Sequence, residues 1–134
     1  MVYLSRKEYF CASHRLFNPK FSQEENLKIY GKCAYANGHG HNYELEVTVI
    51  GDPDPDTGMI LDLKILSDII KKEITDKVDH RHLNIDIDFL QGIIPTAENL
   101  AIVFWNMLAP KITPGKLYSI RVSETPNNFA EYRG

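Results

Sequence analysis

The chain has little of what marks a secreted, membrane-bound or polyanion-binding protein. Its 134 residues hold two cysteines, Cys11 and Cys33, too few for a disulfide framework. The longest apolar run, which includes Ala101–Trp105, is a fraction of the roughly 20 residues that a membrane span needs. The opening Met1-Val-Tyr-Leu-Ser-Arg-Lys-Glu8 breaks into charge before a signal-peptide core can form, so a cytoplasmic location and no membrane partner are expected. A net charge of −3 with no long run of like charges argues against a nucleic-acid surface. Repeats, low-complexity tracts and interdomain linkers are also missing. The length suits one hydrophobic core, so residues 1–134 are expected to form a single domain.

Histidine is scarce as well: five residues, at 14, 39, 41, 80 and 82. Two of them stand in the stretch that organises the chain, Lys32-Cys33-Ala-Tyr-Ala-Asn-Gly38-His39-Gly40-His41-Asn-Tyr43. In an extended segment His39 and His41 leave the same face with Cα atoms roughly 6–7 Å apart. Two imidazoles so placed can converge on one metal ion, since each Zn–N bond is about 2.0–2.1 Å. A third ligand must come from elsewhere, and His14 sits in a strand-like segment, Phe10-Cys-Ala-Ser-His14-Arg-Leu16. The alternative is a turn carrying two exposed histidines. Three histidines and an open fourth position would make a catalytic zinc site rather than a structural one.

The pattern along the chain is α+β. Residues 2–12 read as a strand, broken by Asn18-Pro19. Ser22-Gln-Glu-Glu25 resembles a capping box and opens a short helix over about 22–30. In Asn42–Ile50, Tyr43, Leu45, Val47 and Val49 alternate with polar residues, the period of a half-buried strand. Gly51–Gly58 is a loop dense in turn formers. Leu63, Leu66, Ile70 and Ile74 space an amphipathic helix over about 62–77, and Asp79–Asn84 follows as a polar loop. A second long helix starts at Pro95-Thr-Ala-Glu98 and runs to Leu108. Leu117–Thr125 is a strand with Tyr118, Ile120, Val122 and Glu124 on one face, and Phe129–Arg133 a last one. The expected architecture is a four-stranded antiparallel sheet with two helices on one face.

Four further residues invite chemistry. Cys33, next to Lys32 and near the histidine pair, can be a thiolate base, a fourth metal ligand or a small buried apolar residue. Asp79 beside His80 can orient the ring for proton transfer or simply solvate a helix end. Glu124 points where a core residue would, and a shielded carboxylate needs donors. A ligand edge with two adjacent N–H groups, such as the 2-amino-pyrimidinone edge of a pterin or guanine, would satisfy it; so would water at the strand end. Glu98 suits the helix dipole.

In order and spacing these pieces resemble the 6-pyruvoyltetrahydropterin synthase family over nearly the whole chain. The matching motifs are Phe10-Cys-Ala-Ser-His14-Arg-Leu, Gly31-Lys-Cys33, Gly38-His-Gly-His-Asn-Tyr43, Gly58-Met, Asp79-His80, Thr96-Ala-Glu98-Asn, and Glu124-Thr with Asn127-Asn128. The resemblance implies zinc on His14, His39 and His41, a catalytic group of Cys33, Asp79 and His80, and a pterin pocket with Glu124, Thr96 and Glu98. It implies the tunnelling fold, with trimers closing a barrel and pairing into homohexamers, and active sites at subunit interfaces. The implied reaction is zinc-dependent conversion of 7,8-dihydroneopterin triphosphate to 6-pyruvoyltetrahydropterin with loss of triphosphate. A sister activity, 6-carboxytetrahydropterin synthase of the queuosine pathway, releases acetaldehyde from the same substrate. The five residues between Cys33 and His39 match the pyruvoyl type, as does Val122-Ser-Glu124-Thr. Ala34-Tyr35-Ala36, Ala97 and Pro126 depart from the family's usual residues. A non-catalytic pterin- or zinc-binding protein is the alternative from another class.

Overall fold

The computed structural model describes every residue, Met1–Gly134. Strand β1 (Val2–His14) leads through helix α1 (Gln23–Tyr30) and a 3-10 turn (Gly31–Ala34) to strand β2 (His39–Gly51). Helix α2 (Leu63–Ile70) loosens into a π turn at Lys71–Thr75 and closes with a single turn, α3 (Asp76–Val78). Strand β3 (Arg81–His82), helix α4 (Ala97–Leu108) and strands β4 (Lys116–Thr125) and β5 (Asn128–Tyr132) complete the chain. No helix is long and apolar enough to cross a membrane.

The sheet has five strands in the order β3-β1-β2-β4-β5, not four. The extra strand lies where the sequence reads as a polar loop, and it makes the sheet mixed: Arg81 and His82 run parallel to Ala12 and Ser13. Two residues carry too little pattern to be seen in advance, and backbone pairing makes the strand. The other pairings are antiparallel, as expected.

One face of the sheet is covered. Leu45, Val47, Val49, Ile120 and Val122 turn inward onto Leu66, Ile70 and Ile74 of the α2–π segment and onto Leu100, Phe104 and Leu108 of α4. Each such side chain contributes about 1.5–3 kcal/mol by leaving water. The opposite face carries Lys7, Glu44 and Arg121, with Lys7 Nζ 2.9 Å from Glu44.

Several boundaries shift, those of β1 and β2 with consequences for the site. Strand β1 extends two residues past Ala12, to His14, and β2 begins at His39 rather than Asn42. The histidine pair therefore lies inside a strand, which sets aside the reading of a turn. A bulge between Thr48 and Val49 changes the phase of β4, so Leu117 rather than Tyr118 faces the core. Tyr118 instead packs edge-on against Tyr3, with ring centroids 4.6 Å apart. The short helix is capped as expected: Ser22 Oγ accepts from Glu25 N at 3.1 Å and Glu25 returns the bond to Ser22 N. Pro95 stays outside α4, whose N-cap is Thr96.

Candidate active site

The end of the β1–β2 ladder assembles three imidazoles from two short patterns. His14 is the register partner of His39, and Ala12 of His41. Because side chains alternate along a strand, residues 14, 39 and 41 share the covered face. His14 is 1% exposed. Its Nε2 lies 3.1 Å from His39 Nε2, and the ligand atoms of all three rings lie within 4.8 Å of one another.

The His14 tautomer follows from its partner. Nδ1 stands 2.8 Å from the carbonyl of Pro95, which can only accept, so Nδ1 carries the proton and Nε2 presents its lone pair to the cluster. Tyr43 Oη is 3.2 Å from the same nitrogen. Burial holds the His14 pKa down at about 4, despite the bond to Pro95. His41 is also lowered, mainly by burial, while the nearby Glu124 charge pulls it upward. Near neutrality His14 and His41 are neutral donors.

The donor set fits a metal ion. Two nitrogens each about 2.0–2.1 Å from a tetrahedral zinc stand roughly 3.3 Å apart, close to the His14–His39 spacing. The backbone is shaped to allow it. Gly38 has φ +68°, and a Cβ there would lie 2.6 Å from the His14 carbonyl oxygen, so the turn into His39 requires glycine. Gly40 is different: a Cβ would meet Ala12 O at an ordinary 3.6 Å.

Cys33 lies on the 3-10 turn that precedes β2, with its thiol half-buried. It stands outside the group of converging ligand atoms, which comprises His14, His39 and His41. The fourth-ligand reading therefore loses its geometric basis. The turn is tied to the end of β1: Leu16 N donates to Cys33 O at 2.8 Å and Arg15 Nε to Ala34 O at 2.9 Å.

Asp79 and His80 form the pair that their adjacency suggested. His80 Nδ1 is 2.9 Å from Asp79 Oδ2, made possible by a left-handed backbone at His80, φ 58°. Both are pinned to β1 at Cys11, whose N–H donates to Asp79 Oδ1 at 2.8 Å and whose carbonyl accepts from His80 N at 2.6 Å. The Cys11 bond, with His80 beside it, holds the Asp79 carboxyl below its usual range. His80 borders a depression with Cys11, Ser13 and Gly40, residues of the helix-free face. The Asp79–His80 pair thus opens away from the face that carries its own chain's imidazoles. No hydrogen bond or ion pair links it to Cys33.

Glu124 is half-buried, near His41 and Tyr43, and it makes no ion pair within the chain. Burial first, then its charge, raises the Tyr43 hydroxyl far above the ordinary tyrosine range. Thr96 Oγ1 accepts from Asn99 N at 3.2 Å, capping α4 and so fixing the turn that aims the Pro95 carbonyl at His14. Glu98 is exposed on the first turn of α4. The sequence reading missed Pro95 and Tyr43 as partners of His14. Pro95 is 81 residues away in the chain, and a backbone carbonyl leaves no signature in sequence.

Fold and site together define a class: an α+β protein whose sheet end presents three imidazoles able to hold a metal ion. The profile described as 6-pyruvoyl tetrahydropterin synthase matches residues 3–134, and the chain belongs to that family. The 6-pyruvoyl tetrahydrobiopterin synthase of Dictyostelium discoideum is 47% identical over 133 residues, covering 99% of this chain and 96% of that protein. The solved structure of Caenorhabditis elegans 6-pyruvoyl tetrahydropterin synthase superposes with a TM-score of 0.93 at 39% identity, covering 99% of this chain and 95% of that one. A 6-carboxy-5,6,7,8-tetrahydropterin synthase of Rickettsia bellii is 27% identical over 150 residues, 98% of this chain and 99% of that protein.

Proposed function

We propose that this chain is a cytoplasmic zinc enzyme that converts 7,8-dihydroneopterin triphosphate to 6-pyruvoyltetrahydropterin and triphosphate. The observation that carries the reading is the convergence of His14, His39 and His41, with the His14 tautomer set by Pro95, in a chain of this family. The greater identity to the pyruvoyl synthase, 47% against 27%, favours that product over the carboxy one. The reaction needs no external oxidant: the pterin ring is reduced as the side chain is oxidised, and triphosphate leaves by C–O cleavage.

Zinc held by the three histidines would supply Lewis acidity toward the substrate's side-chain hydroxyls, making the neighbouring C–H bonds easier to deprotonate. The Cys33 thiolate takes the proton from carbon. The Asp79–His80 pair handles the complementary transfer, the carboxylate holding the ring in one tautomer. Glu124, free of partners within the chain, accepts two N–H groups from the pterin edge, with Thr96 and Glu98 lining the same end of α4. Two features support sites completed between subunits. Asp79–His80 opens on the helix-free face, and β1 leaves Val2–Phe10 without a strand neighbour on its outer edge, which invites pairing with another copy. Barrel-closing trimers stacked as a homohexamer fit both features.

Incubation with 7,8-dihydroneopterin triphosphate, followed by chromatographic separation of the products, tests the reading. Release of acetaldehyde would assign the carboxy activity, and binding without turnover a non-catalytic role.

A further inference from the structure

The turn that bears Cys33 has two ties to the sheet, and both donors follow His14: Arg15 Nε to Ala34 O and Leu16 N to Cys33 O. What holds Arg15 is therefore what places the thiol. Strand β3 pairs with β1 at Ala12 and Ser13 and then leaves it, so Arg15 has no strand neighbour there. The side chain of Asn84 takes that place. Its Oδ1 accepts from Arg15 N at 2.8 Å and its Nδ2 donates to Arg15 O at 2.8 Å, so one carboxamide engages both backbone groups of Arg15 as a strand residue would. Asn84 N donates in turn to His82 Nδ1 at 3.2 Å, and Leu83 N to Ser13 O at 2.8 Å, which fix the backbone from which the amide reaches. Beyond the clasp, the Arg15 guanidinium lies 3.9 Å over the Phe17 ring, which leaves Nε aimed at the Ala34 carbonyl.

We infer that Asn84 is a positioning residue for Cys33, acting through Arg15. The inference rests on the reading of Cys33 as the base. Neither an acid nor an aliphatic side chain can replace both halves of the clasp. Asp keeps the acceptor for Arg15 N but sets an oxygen against Arg15 O, whereas Ala removes both bonds.

The test measures zinc content, kcat, KM and the alkylation rate of Cys33 by iodoacetamide, all in a Cys11→Ser background so that one thiol reports. In Asn84→Ala, kcat is expected to fall about tenfold to a hundredfold with KM changed by less than about threefold, because a small misplacement of a reacting group is that costly. Zinc stays at its parental level, the Cys33 alkylation rate changes by about threefold or more, and Asn84→Asp falls between the two. Kinetics and alkylation within about twofold of the parent would overturn the inference, as would a kcat loss that tracks zinc loss and so places the effect on His14. If Asn84→Ala does not fold, Arg15→Ala cuts the same link beyond the clasp and must change Cys33 alkylation alike; an unchanged rate there refutes the route. A parent that does not turn over the dihydropterin refutes the function, while the alkylation comparison still decides the clasp.

Discussion

His14 and His39 face each other across the first rung of the β1–β2 ladder with their Nε2 atoms 3.1 Å apart. One is the last residue of its strand and the other the first of its own, so the centre sits where the sheet ends. The core beneath it, from Tyr43 to Val49, holds the rung in place.

His39→Ala should remove that rung's contribution to metal binding. Zinc is expected to drop from about one per chain to a small fraction of it, because two imidazoles are one ligand short of the three protein ligands that hold a catalytic zinc. Elemental analysis after dialysis measures this, with circular dichroism to show that the fold is retained. Unchanged zinc in the variant would remove His39 from the ligand set.

Cys33→Ala should retain zinc and pterin binding while turnover falls by about 10²–10⁴, the range expected for loss of a general base. The reason is that Cys33 stands apart from the converging ligand atoms. Loss of zinc in proportion to activity would make the thiolate a ligand and overturn its role as base.

The metal-free protein should lose stability in acid through His14. Its folded pKa is about 4 and its unfolded value 6.5, so between these pH values the unfolded chain binds a proton that the folded one refuses. Stability from this group is fully present above about pH 6.5 and is lost as the pH falls toward 4, on the order of 3 kcal/mol in all. Denaturant titrations of chelated protein at several pH values measure it. His14→Gln should flatten the slope in that window, and an equal slope in both proteins would contradict the assignment.

Glu124→Gln should weaken pterin binding without affecting zinc. The amide places an N–H₂ where the ligand needs an acceptor, and charge-assisted bonds contribute roughly 1.5–3 kcal/mol, so the affinity should fall about tenfold to more than a hundredfold. Calorimetry with a dihydropterin lacking the triphosphate isolates the ring contact. Equal affinity in the two proteins would show that Glu124 does not read the ring.

Much of this was legible in the residues themselves. The alternation of Tyr43, Leu45, Val47 and Val49 marks a strand because one face is buried, and the i, i+2 spacing of His39 and His41 then puts both rings on that face. The spacing of Leu66, Ile70 and Ile74 marks the helix, although not its π turn, since one extra residue per turn barely disturbs an apolar stripe. Features made by distant backbone were invisible. Strand β3 exists through pairing with Ala12 and Ser13, the Tyr118 face depends on a bulge opposite Thr48, and the His14 tautomer depends on the carbonyl of Pro95. The Asp79–His80 pair could be read from adjacency, but the face on which it opens could not.

The pyruvoyl synthase activity is tested most directly by incubating zinc-loaded protein with 7,8-dihydroneopterin triphosphate and counting products. One triphosphate and one 6-pyruvoyltetrahydropterin for each substrate consumed, without acetaldehyde and abolished in His39→Ala, is the result predicted. Acetaldehyde with 6-carboxytetrahydropterin, or a rate that His39→Ala leaves unchanged, would contradict it.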